Sequence, residues 1–149
     1  LCLEKKGYTV TSLDIDPHYG PALKHNVEEG LKFDDNSFDL IWCTEVIEHL
    51  HDPDKFLNEI NRVLSPGGLS VLTTPNSAWW FYVIVRLWGW TPKKIQNADH
   101  KQFWIEESIK AVAKGYDLFG YFPYAIKFFR IKSLIGILSP TFILVRYKK

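Results

Sequence analysis

The sequence predicts an α/β fold with a doubly wound sheet, because short apolar strands alternate with helical segments along the chain. Two of the predicted strands end in polar residues. Residues 8–16 end in the acids Asp14 and Asp16, and residues 38–43 lead directly into Thr44. Since ligands bind beyond the carboxyl ends of the strands in open α/β sheets, the sequence also predicts where a site lies.

The predicted elements in the first third of the chain are short. Residues 1–7 carry the lysines and the glycine that end a helix, and the alternating, β-branched residues 8–16 predict a strand. A brief strand is expected at Ala22–Val27. The continuous apolar run 38–43 predicts a strand that is buried on both faces, as in a parallel sheet.

The later elements carry clearer signals. Pro53, with Asp52 as its cap, opens a helix whose apolar residues keep helical spacing, and a buried strand at 69–76 follows it. The remaining predicted elements are a helix at 105–115, which a glycine closes, and strands at 116–124 and 141–147.

Composition narrows the class of protein. The chain has 149 residues, 46% of them hydrophobic, and a formal net charge of +1, which suits a single domain with a core and excludes a disordered chain. The two cysteines, Cys2 and Cys43, form no disulfide framework, so we expect a cytoplasmic protein. The longest apolar stretch, 78–85, is far shorter than the roughly 20 residues of a membrane span.

Charge and aromatic residues are unevenly distributed along the chain. Residues 1–75 contain 6 basic and 13 acidic residues, whereas residues 76–149 contain 12 basic and 4 acidic ones. Of the aromatic residues, 6 lie in the first part and 17 in the second. The two halves of the chain therefore have different roles.

The polar residues at the predicted strand ends allow several interpretations. The Asp14 carboxylate can accept two hydrogen bonds from a ribose diol, or it can simply cap a loop in solvent. His49 is suited to proton transfer near neutral pH, or it can hydrogen-bond a helix end. Glu45 and Glu48 are compatible with a solvated first helical turn, the interpretation that we prefer for Glu48.

A metal site is not expected from the sequence. His49, His51 and Asp52 lie close together in the chain and are residue types that ligate metals. Since no matched cluster of ligands occurs elsewhere in the sequence, we predict that the protein holds no metal.

Three motifs occur in one order and at close to fixed distances: "SLDIDP", "FDDNSFDLIWCTEVIEHLHDP" and "LNEINRVLSPGGLSVLTTPN". Together they resemble the class I S-adenosylmethionine-dependent methyltransferases, in the small-molecule branch related to ubiquinone and menaquinone biosynthesis. The resemblance covers about residues 1–76 and is weaker over 98–118. It implies a Rossmann-like sheet, mostly parallel with an antiparallel C-terminal strand, and S-adenosyl-L-methionine as the cofactor.

The resemblance also implies which residues contact that cofactor. Asp14 would bind the ribose hydroxyls and Ile15 would lie against the adenine. Asn26, with Val27 beside it, stands where the family often has an aspartate for the adenine amino group. The backbone at the end of the third strand would line the methionine end of the cofactor, through Cys43, Thr44 and Glu45. From its chemistry, and not from the resemblance, His49 is the candidate to take a proton from the acceptor.

One expected feature of the family is missing. Class I methyltransferases have a glycine-rich turn after their first strand, where the backbone approaches the cofactor. The resemblance starts in the helix that would follow that turn. We therefore expect the first strand and the glycine loop to lie before Leu1, which makes this sequence a fragment.

The aromatic second half suggests what the protein acts on. Residues 77–104 and 122–140 correspond to segments that vary in the family and face the acceptor. Within them, 78–90 and 125–140 interleave rings with cations, as a surface that contacts anionic membrane does. The hypothesis is a peripheral enzyme with a small, hydrophobic or lipid-linked acceptor, and nucleic acid is an unlikely partner. The same rings would also suit an ordinary core.

Two other functions remain open. A non-catalytic binding module with the methyltransferase fold, associated with a membrane, would also account for the missing glycine loop and for Asn26. A nicotinamide dehydrogenase ranks third, since the segments "EVIEHL" and "RVLSPGG" do not resemble that family.

Overall fold

A computed structural model describes residues 3–18, 20–89, 99–124 and 127–149. Its strands are β1 (Leu13–Asp14), β2 (Leu23–Lys24), β3 (Phe38–Thr44), β4 (Leu64–Pro75), β5 (Asp117–Tyr124), β6 (Lys127–Ile131) and β7 (Thr141–Tyr147). Its helices are α1 (Pro53–Val63), α2 (Trp80–Arg86), α3 (Glu106–Val112) and α4 (Ile135–Leu138), with 3₁₀ turns at Glu4–Lys6, Val27–Glu29 and Ile47–His49.

Five strands form one mixed sheet in the order β3-β4-β7-β5-β6, and β1 and β2 form a separate pair. The pairs β1–β2 and β3–β4 are parallel. Strand β7 is antiparallel to both β4 and β5, and β6 folds back on β5 as an antiparallel neighbour. The predicted α/β class and the antiparallel C-terminal strand are confirmed, and the β5–β6 pair makes the sheet more antiparallel than expected.

Helix α1 connects the parallel strands β3 and β4, as its local sequence predicts. Asp52 Oδ1 accepts a hydrogen bond of 2.9 Å from the backbone N–H of Lys55, and Pro53 occupies the first turn, where its missing N–H costs nothing. At the other end, Lys148 Nζ lies 2.7 Å from the carbonyl oxygens of Asn61 and Leu64. A cation there is favourable because the helix dipole is negative at its C-terminus.

The core lies on one face of the sheet. Leu72 of β4 and the β7 residues Phe142 and Leu144 are buried against α1, α3 and the turn that contains Ile47. Burial of such side chains contributes most of the stability of a domain of this size.

At β3 the opposite face of the sheet is exposed, and this contradicts one prediction. Leu40 is 38% exposed and Trp42 64%, so the expectation that β3 is buried on both faces is wrong. Strand β3 is an edge strand that pairs with β4, and only its alternate residues Ile41 and Cys43 pack on the core.

The strand predicted at 8–16 is much shorter than expected. Only Leu13 and Asp14 are paired, and among the described residues their partners are Leu23 and Lys24 of β2 alone. A strand with one short neighbour has little backbone pairing to extend it. Strand β2 lies within the brief strand expected at Ala22–Val27.

The remaining predicted elements are confirmed. Gly7, with φ of 87°, ends the first 3₁₀ turn, and Gly115, with φ of 84°, follows α3. In the described ranges every helix is too short or too polar to cross a bilayer. The prediction that a strand and a glycine loop precede Leu1 stays a prediction.

Candidate functional site

Strands β3 and β4 end side by side, and the chain turns sharply after β3. Thr44 pairs with Thr73, and the backbone N–H of Glu45 donates to the Thr73 carbonyl at 3.0 Å. Glu45 has a φ of 54°, in the left-handed region that residues other than glycine rarely adopt. Its carboxylate accepts a hydrogen bond of 3.0 Å from Thr73 Oγ1, which holds the turn.

This turn buries Glu48, contrary to the sequence prediction. The side chain is 0% exposed, and its Oε2 accepts a hydrogen bond of 2.9 Å from Thr74 Oγ1 on the core face of β4. The preferred interpretation of a solvated helical turn is therefore wrong for Glu48. Its Oε1 has no hydrogen-bond partner in the described part of the chain, and burial raises the pKa of the carboxyl.

His49 meets a second histidine that comes much later in the sequence. Its Nδ1 lies 3.2 Å from the carbonyl oxygen of Asp99, and its ring packs edge-on against His100, with 4.7 Å between the ring centroids. Nδ1 of His100 is buried without a hydrogen-bond partner among the described residues. Burial, aided by nearby His49, lowers the pKa of His100.

One ligand atom from each of Glu48, His49 and His100 lies within 4.8 Å of the others. His100 is not among the site residues predicted from the sequence, because its partners are distant in the chain. The polar pair at residues 99–100, inside the segment of weaker resemblance, was the only signal.

His51 and Asp52 lie outside this cluster and have structural contacts of their own. The Glu28 carboxylate accepts from the His51 backbone N–H at 2.6 Å and lies 3.0 Å from its Nδ1, and Lys55 Nζ donates to the Glu28 carbonyl at 2.9 Å. The hydrogen bond from the His51 backbone is the largest cause that lowers the pKa of Glu28. Since Asp52 caps α1, the group of His49, His51 and Asp52 considered from the sequence is not assembled.

The same contacts attach the Val27–Glu29 turn to the start of α1. They border a shallow cavity of about 310 Å³. The cavity is lined by Val27, Glu28, His51, Asp52, Lys55 and Phe56. Asn26 caps this turn, because its Oδ1 accepts a hydrogen bond of 3.1 Å from the Glu28 backbone N–H. Val27 packs against the core, so neither side chain is fully available to a ligand.

Asp14 and Ile15 lie at the end of β1 and face solvent. Asp14 Oδ1 accepts a hydrogen bond of 2.9 Å from the backbone N–H of Asp16, which leaves further lone pairs on the exposed carboxylate. The Ile15 side chain is 65% exposed. No hydrogen bond among the described residues joins β1 to β3, so strand pairing does not bring these two residues together with Thr44 and Glu45.

Cys43 turns its side chain into the core, whereas Thr44 is exposed. Burial raises the pKa of the Cys43 thiol to about 12, so it is neutral and unreactive at physiological pH. The side chain of Cys43 is therefore not available to a ligand, and the backbone role that the resemblance implies for Cys43 stays a prediction.

Comparisons with known proteins indicate the kind of domain and the fold. Residues 1–72 match the family described as a methyltransferase domain. The crystal structure of an S-adenosylmethionine-dependent methyltransferase from Archaeoglobus fulgidus matches 99% of this chain and 79% of its own, with a TM-score of 0.69. Residues 1–72 are thus similar to methyltransferase domains, and the described structure has the fold of S-adenosylmethionine-dependent methyltransferases. At 16% identity the structural match shows the fold alone.

Curated relatives of this methyltransferase domain extend the match. A ubiquinone biosynthesis O-methyltransferase of Caulobacter sp. (strain K31) is 25% identical over 145 residues, which cover 85% of this chain and 57% of the relative. An enzyme of the same name from Rickettsia prowazekii (strain Madrid E) is 30% identical over 119 residues, covering 64% and 44%. The chain thus spans about half the length of these relatives. The methyltransferase-domain match and the structural neighbour imply S-adenosylmethionine as the cofactor.

Proposed function

We propose that the protein transfers a methyl group from S-adenosylmethionine to a hydroxyl oxygen of a small, hydrophobic acceptor. The observation that carries this proposal is the methyltransferase-domain match, because it covers the strand ends that bear Asp14, Thr44 and Glu45. The names of the Caulobacter and Rickettsia relatives support an oxygen as the methylated atom. When bound, the cofactor supplies a methyl group made electrophilic by its sulfonium sulfur.

The residues at the strand ends suit this cofactor. The exposed Asp14 carboxylate can accept from both hydroxyls of a ribose, and the exposed Ile15 beside it offers an apolar contact to a flat base. Asn26 Oδ1 already has one donor, and a carbonyl oxygen has room for a second. The backbone at 43–45 would line the methionine end.

His49 stands next to this backbone on the following turn, where an acceptor hydroxyl could reach it. If it handles the proton of that hydroxyl, His49→Ala should lower turnover by roughly 10²-fold or more and leave cofactor affinity nearly unchanged. The matched control is His51→Ala, since the His51 ring is exposed and held by Glu28.

The decisive experiment combines cofactor binding with methyl transfer, using the protein at its full natural length. Labelled S-adenosylmethionine is supplied with hydroxylated aromatic compounds that carry or lack an isoprenoid tail. We expect transfer to oxygen, and more of it with the tail. Cofactor binding without transfer to any of these acceptors would favour a non-catalytic module, and the absence of cofactor binding would overturn the proposal.

We further propose that the acceptor is reached from a membrane surface. Helix α2 follows the end of β4 and is rich in exposed apolar residues, and the turn after it exposes Leu87 (83%) and Trp88 (70%). Such apolar side chains suit the interface of a bilayer, and the cations that the sequence places in the same segments suit anionic lipid. Of the segments implicated, residues 90–98 and 125–126 lie outside the described residues, and the assignment of 77–104 and 122–140 to the acceptor side stays a prediction.

Co-sedimentation with vesicles tests the membrane contact. Binding should require anionic lipid, weaken with salt, and fall when Trp80 and Trp88 are changed to Ala. Trp42→Ala is the matched control, because Trp42 is also exposed (64%) but lies on β3, away from α2 and the turn after it. Equal losses for both variants, or no binding at low salt, would contradict a membrane surface at α2.

A further inference from the structure

Residues 99–104 form a strap that runs between the ends of β3 and β4. Near its start, the backbone N–H of Lys101 donates to the carbonyl oxygen of Glu48 at 2.9 Å, in the turn that follows β3. At its end, the carbonyl oxygen of Trp104 accepts a hydrogen bond of 2.8 Å from the N–H of Ser77, just after β4. The strap therefore lies at the edge of the sheet where ligands bind in open α/β folds.

One side chain attaches the strap to a turn that is distant in the sequence. Lys101 Nζ lies 3.5 Å from Oε2 of Glu28, in the 3₁₀ turn Val27–Glu29. The Glu28 carboxylate is also held by the start of α1, because its Oε1 accepts a hydrogen bond of 2.6 Å from the backbone N–H of His51. Both members of the ion pair are partly buried, with 37% of the Lys101 side chain and 27% of the Glu28 side chain exposed.

Lys101 also contacts the His51 ring, but Glu28 is its more constant partner. Lys101 Nζ lies 2.9 Å from His51 Nδ1, which in turn lies 3.0 Å from Glu28 Oε1. Since Nδ1 either carries a proton or offers a lone pair, it cannot donate to Glu28 and accept from Lys101 at once. An ionised carboxylate accepts from Lys101 in both cases. The attachment of the strap therefore depends on Glu28 more than on the ring.

The turn that contains Glu28 also carries residues that are predicted to contact the cofactor. Asn26 and Val27 directly precede Glu28, and Asn26 Oδ1 accepts a hydrogen bond of 3.1 Å from the Glu28 backbone N–H. A ligand that orders Asn26 therefore also fixes the position of Glu28.

We propose that Glu28 is a positioning residue, whose ion pair with Lys101 couples the turn on the cofactor side to the strap at the ends of β3 and β4. This inference rests on the proposed function, in which the cofactor orders the turn and the strap lies on the acceptor side. Once the turn is ordered, the ion pair holds the strap, and the acceptor no longer has to order it. The cofactor should then favour acceptor binding, and by linkage the acceptor should favour cofactor binding to the same extent.

Limited proteolysis by chymotrypsin, on the protein at its full natural length, measures how often the strap opens. Phe103 lies in the strap, and the bond after it is cleaved from the opened state, so the rate follows the population of that state. Without cofactor, Glu28→Gln and Lys101→Met should each speed this cleavage by about 2- to 5-fold, the scale of a partly exposed ion pair. Lys101→Arg keeps the charge and should be cleaved as the unmodified protein is.

Glu29→Gln is the matched control, because Glu29 is the neighbouring acid of the same turn and pairs with Lys32 at 3.9 Å. His51→Ala keeps the backbone N–H that binds Glu28, and both variants should leave the cleavage rate unchanged. Thermal unfolding of each variant identifies any that fail to fold, and Glu28→Gln keeps the shape of the side chain and an acceptor for that N–H. Equal cleavage of the unmodified protein and the folded Glu28→Gln and Lys101→Met variants would overturn the attachment.

Adding S-adenosylmethionine tests the coupling, and calorimetry establishes separately whether the cofactor binds. In the unmodified protein, bound cofactor should slow the cleavage after Phe103 by about 2- to 5-fold, whereas in Glu28→Gln and Lys101→Met it should have little effect. Binding without slower cleavage, or equal slowing in Glu28→Gln, would overturn the role of Glu28 and leave the proposed function standing. The absence of cofactor binding would overturn both.

Discussion

Asp14 is the single residue on which cofactor recognition most depends in the proposed function. Changing Asp14 to Ala should weaken S-adenosylmethionine binding by about 1.5–3 kcal/mol, the scale of charge-assisted hydrogen bonds. Asp16→Ala is the matched control, because Asp16 is an exposed acid two residues away whose 3.9 Å contact with Lys24 is at the surface. Calorimetry that gives equal affinities for the two variants would remove Asp14 from the site.

Single residues also show where sequence reasoning reaches its limit. The cap at Asp52 is predictable because its partner is the backbone of Lys55, three residues away. Glu48 was misassigned because its partner Thr74 is 26 residues away on another strand. His100 was missed for the same reason, since nothing local to it indicates that His49 is its neighbour.

At the scale of elements, the loop before β3 is fastened to α1 by one ion-pair network. Glu59 accepts from the Leu31 backbone N–H at 2.9 Å and from Arg62 Nε at 2.8 Å, and Arg62 also donates to the Phe33 carbonyl and to Asp35. Mainly because of the bond from Arg62, the pKa of Glu59 falls to about 2.

Since this pKa is lower in the folded than in the unfolded chain, ionised Glu59 stabilises the fold above pH 4.5, and the contribution is lost as the pH falls toward 2. Glu59→Gln should therefore destabilise the protein by about 1 kcal/mol at pH 7, a value kept small by partial exposure. In urea unfolding the difference from the unmodified chain should shrink by pH 3. A difference that is independent of pH would show that the charge of Glu59 is irrelevant.

The end of β4 is joined to α4 by one buried amide. Asn76 Nδ2 donates to the carbonyls of Gly136 and Ser139 at 2.9 and 2.7 Å, and its Oδ1 accepts from the Ala78 backbone N–H at 2.9 Å. Asn76→Ala leaves these groups unpaired and should cost about 2–4 kcal/mol in the free energy of unfolding. The exposed Asn58 of α1 provides the control, and Asn58→Ala should change stability by less than about 0.5 kcal/mol. Similar losses for both would contradict this account.

Whole elements are predicted correctly where the sequence signal lies within the element itself. They are predicted incorrectly where the burial of the element depends on its neighbours in the fold. Helix α1 is predicted from its capping residues, and strand β7 is predicted from an apolar run of a few residues. The apolar run of β3 predicted burial on both faces, yet the exposure of Trp42 depends on which strands and helices cover it. Local sequence does not contain that information.

At the scale of the molecule, the structure has two parts, which are the five-stranded sheet with its core and the β1–β2 pair. The β1–β2 pair is the less firmly held of the two. The β1–β2 pair is held by few backbone bonds, among them those from the Leu23 and His25 N–H groups to the Ser12 and Asp14 carbonyls, each 2.8 Å. The turn that contains Glu28 follows this pair and contacts the start of α1, and its contacts with His51, Lys55 and Lys101 are at the surface. The large core lies elsewhere, around β4 and β7.

Because few contacts hold it, the β1–β2 pair should open independently of the core, and amide hydrogen exchange detects such local opening. The amides of Leu23 and His25 should exchange much faster than that of Leu144 in the centre of the main sheet, because local opening exposes them without unfolding the core. A ligand that binds Asp14 must then order this unit as it binds, and part of its binding free energy is spent on that ordering. Slower exchange at Leu23 and His25, with no change at Leu144, would be the first sign that S-adenosylmethionine has bound.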